Sequence, residues 1–295
     1  MGIADRTAVL AMLHEHAAQN LTLAEQRARM DGFGDLFPVP GGTEVESAEI
    51  GGVAGEWVRA RRTHSDAVLL YLHGGGFSVG SPKSHRHLAA AIGEASGLPL
   101  FVANYRLAPE HPFPAALDDA TAAYKGLLES GLSPARLAIA GDSSGAGLAV
   151  ATLVALHEQN IPLPVCAVCI SPWVDLSQSG NTFRTHAESD PTISKQRLDA
   201  LAEEYLAGRD PKAPLASPIF ADLRGLPPLL LQVGRREVLF DDTMQLRARA
   251  EAAGVEVSAE SWGGMWHVWP FYHPMLSEGR DAIARIGAYL KARIA

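Results

Sequence analysis

The chain has 295 residues and a mass of 31.4 kDa, with 47% hydrophobic and 20% charged residues and a net charge of −8 from 25 Lys+Arg against 33 Asp+Glu. That length can bury a full hydrophobic core, and an acidic chain without a clustered basic stripe argues against nucleic acid and anionic membrane as partners. No apolar run reaches the roughly 18 residues that span a bilayer, and Met1-Gly2-Ile3-Ala4-Asp5-Arg6 opens a charged segment rather than an apolar leader, so a cytoplasmic location is expected.

Residues 1 to about 40 are mostly helical in pattern and break at Phe37-Pro38-Val39-Pro40-Gly41-Gly42. Two strand-like stretches follow, Glu44–Ile50 and Glu56–Arg61, and then β-type apolar runs alternate with helical patterns. The runs are Ala67–Leu72, Leu98–Asn104, Leu137–Ala140, Val165–Ile170, Leu229–Val233 and Val255–Ser261. The helical candidates are Ser84–Ala95, Pro114–Glu129, Ser144–Gln159, Asp241–Ala253 and Glu278–Ile294. Near-continuous apolar strands separated by helices predict a mostly parallel sheet covered on both faces. Between Leu176 and Pro227 the alternation stops, and only Ser194–Ala207 has a helical pattern. An insertion of this length is expected to sit over the active site as a cap, joined by the N-terminal segment, rather than to form a second domain. The two cysteines, Cys166 and Cys169, lie in an apolar strand and are expected to be core residues on opposite faces rather than a redox pair.

The chemistry is carried first by Gly141-Asp142-Ser143-Ser144-Gly145, a G-x-S-x-G between a strand and a helix. A sharp turn there lifts a serine hydroxyl above the sheet, and the helix N-terminus offers N–H groups to developing negative charge. Upstream, His73-Gly74-Gly75-Gly76-Phe77 ends another strand. Its glycines let backbone N–H groups approach a bound oxygen as an oxyanion-hole loop, whereas a phosphate loop would need Gly-Lys-Ser/Thr or G-x-G-x-x-G. His73 itself is expected to anchor this loop. A hydroxyl nucleophile needs a base, and the chain order nucleophile, acid, histidine selects His267 among the 11 histidines, with His273 as the fallback. After Leu229–Val233, three carboxylates compete for the orienting role: Glu237, Asp241 and Asp242. Glu237 is nearest the strand end, whereas Asp241 and Asp242 read as the start of the next helix, where acidic residues suit the dipole. The aromatic cluster Trp262, Trp266, Trp269, Phe271 and Tyr272 around His267 divides between core packing and pocket lining.

These blocks resemble the bacterial hormone-sensitive-lipase-like esterases, often called family IV. So do Asn104-Tyr105-Arg106-Leu107-Ala108-Pro109-Glu110, Ser171-Pro172-Trp173-Val174-Asp175-Leu176, Asp190-Pro191 and Gly234–Asp242, and the likeness runs over nearly the whole chain. The resemblance implies a single α/β-hydrolase domain over 1–295, with an eight-stranded, mostly parallel sheet, helices on both faces and a helical cap from about 1–40 and about 177–226. It implies Ser143, Glu237 and His267 as catalytic residues. Gly75, Gly76 and the N–H of Ser144 would form the oxyanion hole, and Phe77 and Trp266 would contact substrate. It also implies a small-molecule ester substrate with a short to medium acyl chain, no metal or organic cofactor, and a homodimer through the sheet edge at Val255–Ser261. Many relatives have Asp where Glu237 stands, and alanine where Ser144 stands. An acetyl-ester deacetylase or lactonase would use the same machinery. A ligand-binding protein of this fold that does not hydrolyse would lack the histidine, and here His267 is present.

Overall fold

The computed structural model describes residues 2–17, 21–63 and 65–294, with the side chains of 2–5 and 14–17, and hence those of His14 and His16, outside the description. Eight strands form one sheet: β1 (Glu44–Ile50), β2 (Val53–Arg59), β3 (Val68–Leu72), β4 (Leu100–Ala103), β5 (Leu137–Asp142), β6 (Cys166–Ile170), β7 (Leu229–Gly234) and β8 (Val257–Trp262). Their spatial order is β1-β2-β4-β3-β5-β6-β7-β8. β2 runs antiparallel to both β1 and β4, and every other pair is parallel. The central strands are buried on both faces, which is why they read as continuous apolar runs.

Alternation along each strand sorts the core into two layers. Leu70, Leu72, Ile139, Ala167, Cys169 and Leu231 face α4 (Ala115–Glu129), α5 (Ser144–Glu158) and α8 (Phe240–Ala252). Leu69, Tyr71, Ala138, Ala140, Cys166 and Val168 face α3 (Pro82–Ser96) and α9 (Ser277–Arg293). Cys166 and Cys169 are therefore free thiols on opposite faces, each pushed by burial to about 12. Each fully buried leucine of these layers contributes roughly 1.5–3 kcal/mol of transfer free energy.

Most strand ends shift by one to three residues from the sequence expectation, and two of these shifts follow directly from pairing. β2 begins at Val53 because Val53, Ala54 and Gly55 already pair with β1, although Gly55 carries no strand signal. β5 runs on through Gly141 and Asp142, which pair with Cys169 and Ile170. It therefore delivers the next residue, Ser143, directly at its C-terminal end.

Outside the alternation lie α1 (Gly2–Ala17) and α2 (Leu23–Leu36) at the start, and α6 (Thr182–Thr185) and α7 (Lys195–Leu206) between β6 and β7. Thr22 and Glu25 form a capping box on α2, and the Ser194 hydroxyl caps α7 at the Arg197 N–H. Arg27 of α2 donates to the carbonyls of Ser78 (2.9 Å) and Ala108 (3.0 Å) and pairs with Glu110. From α7, Glu204 accepts the Ser78 hydroxyl at 3.1 Å. Both helices are thus tied to the loop that follows the glycines after β3. Among the described residues, no helix is long and apolar enough to cross a membrane.

Candidate active site

Ser143 stands between β5 and α5 with φ +54° and ψ −124°, a conformation that a non-glycine residue adopts only when its surroundings enforce it. The surroundings here are backbone. The Ser143 N–H donates to Ile170 O at 2.8 Å, and the Ser143 carbonyl accepts from Trp173 N–H at 3.1 Å. A side chain on Gly145 would collide with the carbonyls of Leu72 and His73, so only glycine lets α5 start this close to β3.

His267 follows β8, and its Nε2 lies 2.9 Å from Ser143 Oγ while its Nδ1 lies 3.0 Å from Glu237 Oε2. All three side chains are at most 8% exposed. The other carboxylate oxygen of Glu237 accepts the Gly234 N–H at 2.5 Å and the Ser171 hydroxyl at 2.7 Å. Burial alone would lower the His267 pKa. The hydrogen bond and charge of Glu237, helped by Asp190 and Asp142, outweigh it and raise the pKa above the ordinary histidine value. Burial holds the Glu237 carboxyl above its usual range, against the opposing pull of His267.

The competing carboxylates serve the chain elsewhere. Asp242 accepts the N–H groups of Val174 and Asp175, both at 3.1 Å, and Asp241 accepts those of Asn181 (2.7 Å) and Thr182 (3.1 Å). Both fasten the segment after β6, a tie that no spacing in the sequence reveals. His273 points its Nε2 at the carbonyl of His87, not at the serine.

His73 holds its own loop through a 2.9 Å contact between Nδ1 and Gly74 O, and stacks on Tyr105, whose hydroxyl donates to His73 O at 2.6 Å. Asp142 Oδ1 accepts from Tyr71 OH (2.8 Å) and Gly74 N–H (3.0 Å). Burial would raise the Asp142 carboxyl, but His85 and the Tyr71 hydroxyl hold it below its ordinary value. Gly75 has φ +124°, where an added side chain would strike Val79 O. The N–H groups of Gly75, Gly76 and Ser144 make no hydrogen bond within the described residues. Gly75 and Gly76 line the cavity together with Ser143. The hydroxyl of Ser144 accepts the Phe77 N–H at 3.3 Å and joins the glycine loop to the serine turn.

A cavity of about 230 Å³ opens above Ser143 and His267. Gly75 and Gly76 form its floor, α2 contributes Met30 and Phe33, the segment between β6 and β7 contributes Ile193, Leu198 and Leu201, and Phe271 and Tyr272 follow His267. Phe77 and Trp266, expected to contact substrate, do not line it. Phe77 has φ +62°, which swings its ring away onto Tyr205, with 3.7 Å between centroids. Trp266 is fully buried in the layer of α3 and α9. Sequence reading missed Ser171, which also accepts the Val268 N–H at 3.1 Å and so links the acid to the histidine loop. It also missed the role of Asp190, whose Oδ2 accepts the Val238 N–H at 3.1 Å while its Oδ1 accepts from the Thr192 N–H and hydroxyl. Two further bonds join the same segments: Thr182 Oγ1 to Val238 O (2.7 Å) and Ser189 Oγ to Arg236 O (2.9 Å).

A family model for the alpha/beta hydrolase fold matches residues 69–271. An acetyl-hydrolase of Streptomyces hygroscopicus is 50% identical over 269 residues, covering 91% of this chain and 88% of the relative. An esterase of Acinetobacter venetianus is 34% identical over 271 residues, covering 92% and 89%. Among solved structures, an esterase from the bacterial hormone-sensitive lipase family superposes with a TM-score of 0.98 at 44% identity, covering all of both chains. A hormone-sensitive lipase from a metagenome library superposes with a TM-score of 0.95 at 39% identity, covering 100% of this chain and 99% of that one. With the sheet order and a matched region of this extent, the chain belongs to the α/β-hydrolase-fold family and, within it, to the bacterial hormone-sensitive-lipase esterases.

Proposed function

We propose that Ser143, His267 and Glu237 hydrolyse carboxylic esters of short to medium acyl chain through an acyl-enzyme. The observation that carries this reading is the unbroken hydrogen-bonded line from Ser143 Oγ through His267 to Glu237 beneath a cavity of about 230 Å³. Glu237 fixes the His267 tautomer with its proton on Nδ1, leaving Nε2 as the acceptor. Nε2 takes the hydroxyl proton as Oγ attacks the ester carbonyl. The oxyanion that forms is held by the N–H groups of Gly75, Gly76 and Ser144. The imidazolium then returns the proton to the leaving alkoxide, and the alcohol departs. Water repeats the sequence on the acyl-enzyme, releasing the acid and restoring Ser143. The paired Glu237 carboxylate stabilises the imidazolium, which is consistent with the raised His267 pKa.

The residues about 1–40 and about 177–226 act as the cap, since Met30, Phe33, Ile193, Leu198 and Leu201 roof the cavity. Acetyl esters are the second reading for the acyl group, supported by the acetyl-hydrolase relative at 50% identity. Pairing of two copies along β8, the edge of the sheet, is supported by the lack of any strand beyond it among the described residues. Light scattering on a sizing column at 31.4 kDa would remove it. The activity is tested with p-nitrophenyl esters of increasing acyl length on wild type, Ser143→Ala and His267→Ala. Hydrolysis strongest at short chains, lost by several orders of magnitude in both variants, is expected. A folded wild type inert on every ester overturns the reading.

A further inference from the structure

The chain leaving β6 touches every segment of the triad within a few residues. Ile170 O accepts the Ser143 N–H at 2.8 Å, and the Trp173 N–H donates to Ser143 O at 3.1 Å. Between them stands Ser171, fully buried, held with φ +48° and set apart from the lining of the cavity. Its N–H donates to Gln232 O at 2.7 Å, which carries the pairing of β6 and β7 one residue past the strand end. Its hydroxyl reaches the other two segments. The Val268 N–H donates to Ser171 Oγ at 3.1 Å, and the single hydroxyl proton goes to Glu237 Oε1, 2.7 Å away. Val268 also has a positive φ, +50°, which a β-branched residue rarely adopts. Both ends of one hydrogen bond thus hold a backbone conformation that L side chains resist. The Glu237 carboxyl is fully buried, which favours its neutral form, and the charge of Asp190 adds to that. Oε2 is committed to His267, so the donors that hold the anion gather on Oε1. One of them, the Gly234 N–H, comes from three residues away on the same turn. The other, the Ser171 hydroxyl, comes from a different strand end and is bonded in turn to the residue after His267.

We propose that Ser171 is a positioning residue of the triad, whose hydroxyl holds the Glu237 carboxylate with Oε2 turned to His267 and ties the histidine loop to it. This rests on the esterase reading of Ser143. Ser171 does not meet the substrate and acts through Glu237 and Val268. As Ser143 Oγ attacks, its proton passes to His267 Nε2, and Glu237 must stay an anion facing the charged ring. Without the Ser171 hydroxyl, Glu237 keeps only the Gly234 N–H on Oε1, and the Val268 N–H loses its acceptor. A buried carboxylate with one donor fewer draws a proton onto the His267–Glu237 pair more strongly, so the acidic limb of activity moves up in pH. The other charged groups that bear on the pair are Asp190, between β6 and β7, and Asp142, at the end of β5. Changes at Ser171 leave both in place.

The test measures kcat, KM and the pH profile for p-nitrophenyl butyrate hydrolysis, beside a thermal melt of each protein. The proteins are wild type, Ser171→Ala, Ser171→Gly, Glu237→Gln and the double variant Ser171→Ala with Glu237→Gln. Both Ser171 variants lose the hydroxyl, but glycine adopts φ +48° without strain and so preserves the turn. In both, kcat is expected to fall about tenfold to a hundredfold, the worth of a hydrogen bond to a charged group, with KM little changed. The acidic limb of kcat/KM is expected to rise by about one pH unit. Because Ser171 acts largely through Glu237, Ser171→Ala should cost much less in the Glu237→Gln background than in wild type. A serine needed only for the turn would be replaced by glycine with no change in rate or limb. A folded Ser171→Gly enzyme with wild-type kcat and an unmoved limb, or losses that multiply in full in the double variant, overturns the positioning role and leaves the esterase reading intact. Inertness of the folded wild type on p-nitrophenyl esters of every acyl length overturns both.

Discussion

Replacing Glu237 by glutamine tests the orienting role through a constraint that the neighbouring atoms impose. Two donors converge on Oε1: the Gly234 N–H at 2.5 Å and the Ser171 hydroxyl at 2.7 Å. The Gly234 N–H belongs to the backbone and cannot turn around, so the amide oxygen of the glutamine must take the Oε1 position. Its NH₂ group then falls where Oε2 stood, 3.0 Å from His267 Nδ1. An N–H facing Nδ1 forces the imidazole proton onto Nε2, which points at Ser143 Oγ from 2.9 Å and can no longer accept. The expected loss in kcat is about 10³–10⁴-fold, or roughly 4–5.5 kcal/mol of transition-state stabilisation at about 1.36 kcal/mol per tenfold. That scale comes from the aspartate-to-asparagine change in a protease triad, not from this chain. The assay is steady-state hydrolysis of p-nitrophenyl butyrate, beside a thermal melt to show that the variant folds. A folded Glu237→Gln enzyme that keeps more than about a tenth of wild-type kcat, a loss below about 1.4 kcal/mol, refutes the reasoning.

Further outcomes follow from the same geometry. Hydrolysis needs neutral His267, and Glu237 raises its pKa, so the acidic limb of kcat/KM should lie above the ordinary histidine value of about 6.5 and activity should fall as pH drops through it. A limb below that value in wild type would contradict the pairing. Gly145→Ala places a methyl against the carbonyls of Leu72 and His73 and should cost about 3 kcal/mol or more in urea unfolding; an unchanged midpoint would be inconsistent with that collision. Leu201 lines the roof and abuts Gly76, so Leu201→Ala should raise the rate on longer acyl chains relative to butyrate, read as a shift in the acyl-length profile. A profile that does not move would place the acyl chain elsewhere in the cleft. Cys166 and Cys169, buried and with thiols raised to about 12, should resist labelling at neutral pH until the chain unfolds, and rapid labelling of the folded protein would show an opening of the sheet's flank.

The elements legible in the sequence were those in which one local rule fixes the outcome. Continuous apolar runs gave the central strands, and the strand–Ser143–helix order placed the turn, because period and glycine spacing are local properties. What stayed hidden depends on backbone direction and on remote partners. Phe77 follows two glycines and resembles a pocket residue, yet its positive φ turns the ring onto Tyr205. Trp266, adjacent to His267, faces the opposite way into the layer of α3 and α9. The pull of Ser171 on Glu237 spans 66 residues and that of Asp190 on Val238 spans 48, and neither distance leaves a periodic trace. Arg29 and Arg197 line one chamber because α2 and α7, both outside the alternation, come together there.

The bonds from Asp190, Ser189 and Thr182 to the stretch 236–238 bear on how this scaffold can be recombined. They bind the roof of the cleft to the chain that carries Glu237, so the two segments form one exchangeable module although 47 to 56 residues separate the bonded partners. Grafting the roof of another esterase onto this core to alter its selectivity would leave the Val238 N–H and Arg236 carbonyl without their partners and loosen the acid. A chimera that carries 182–192 and 234–242 across together keeps that register, and a library built on crossovers between them would discard its most informative members as inactive.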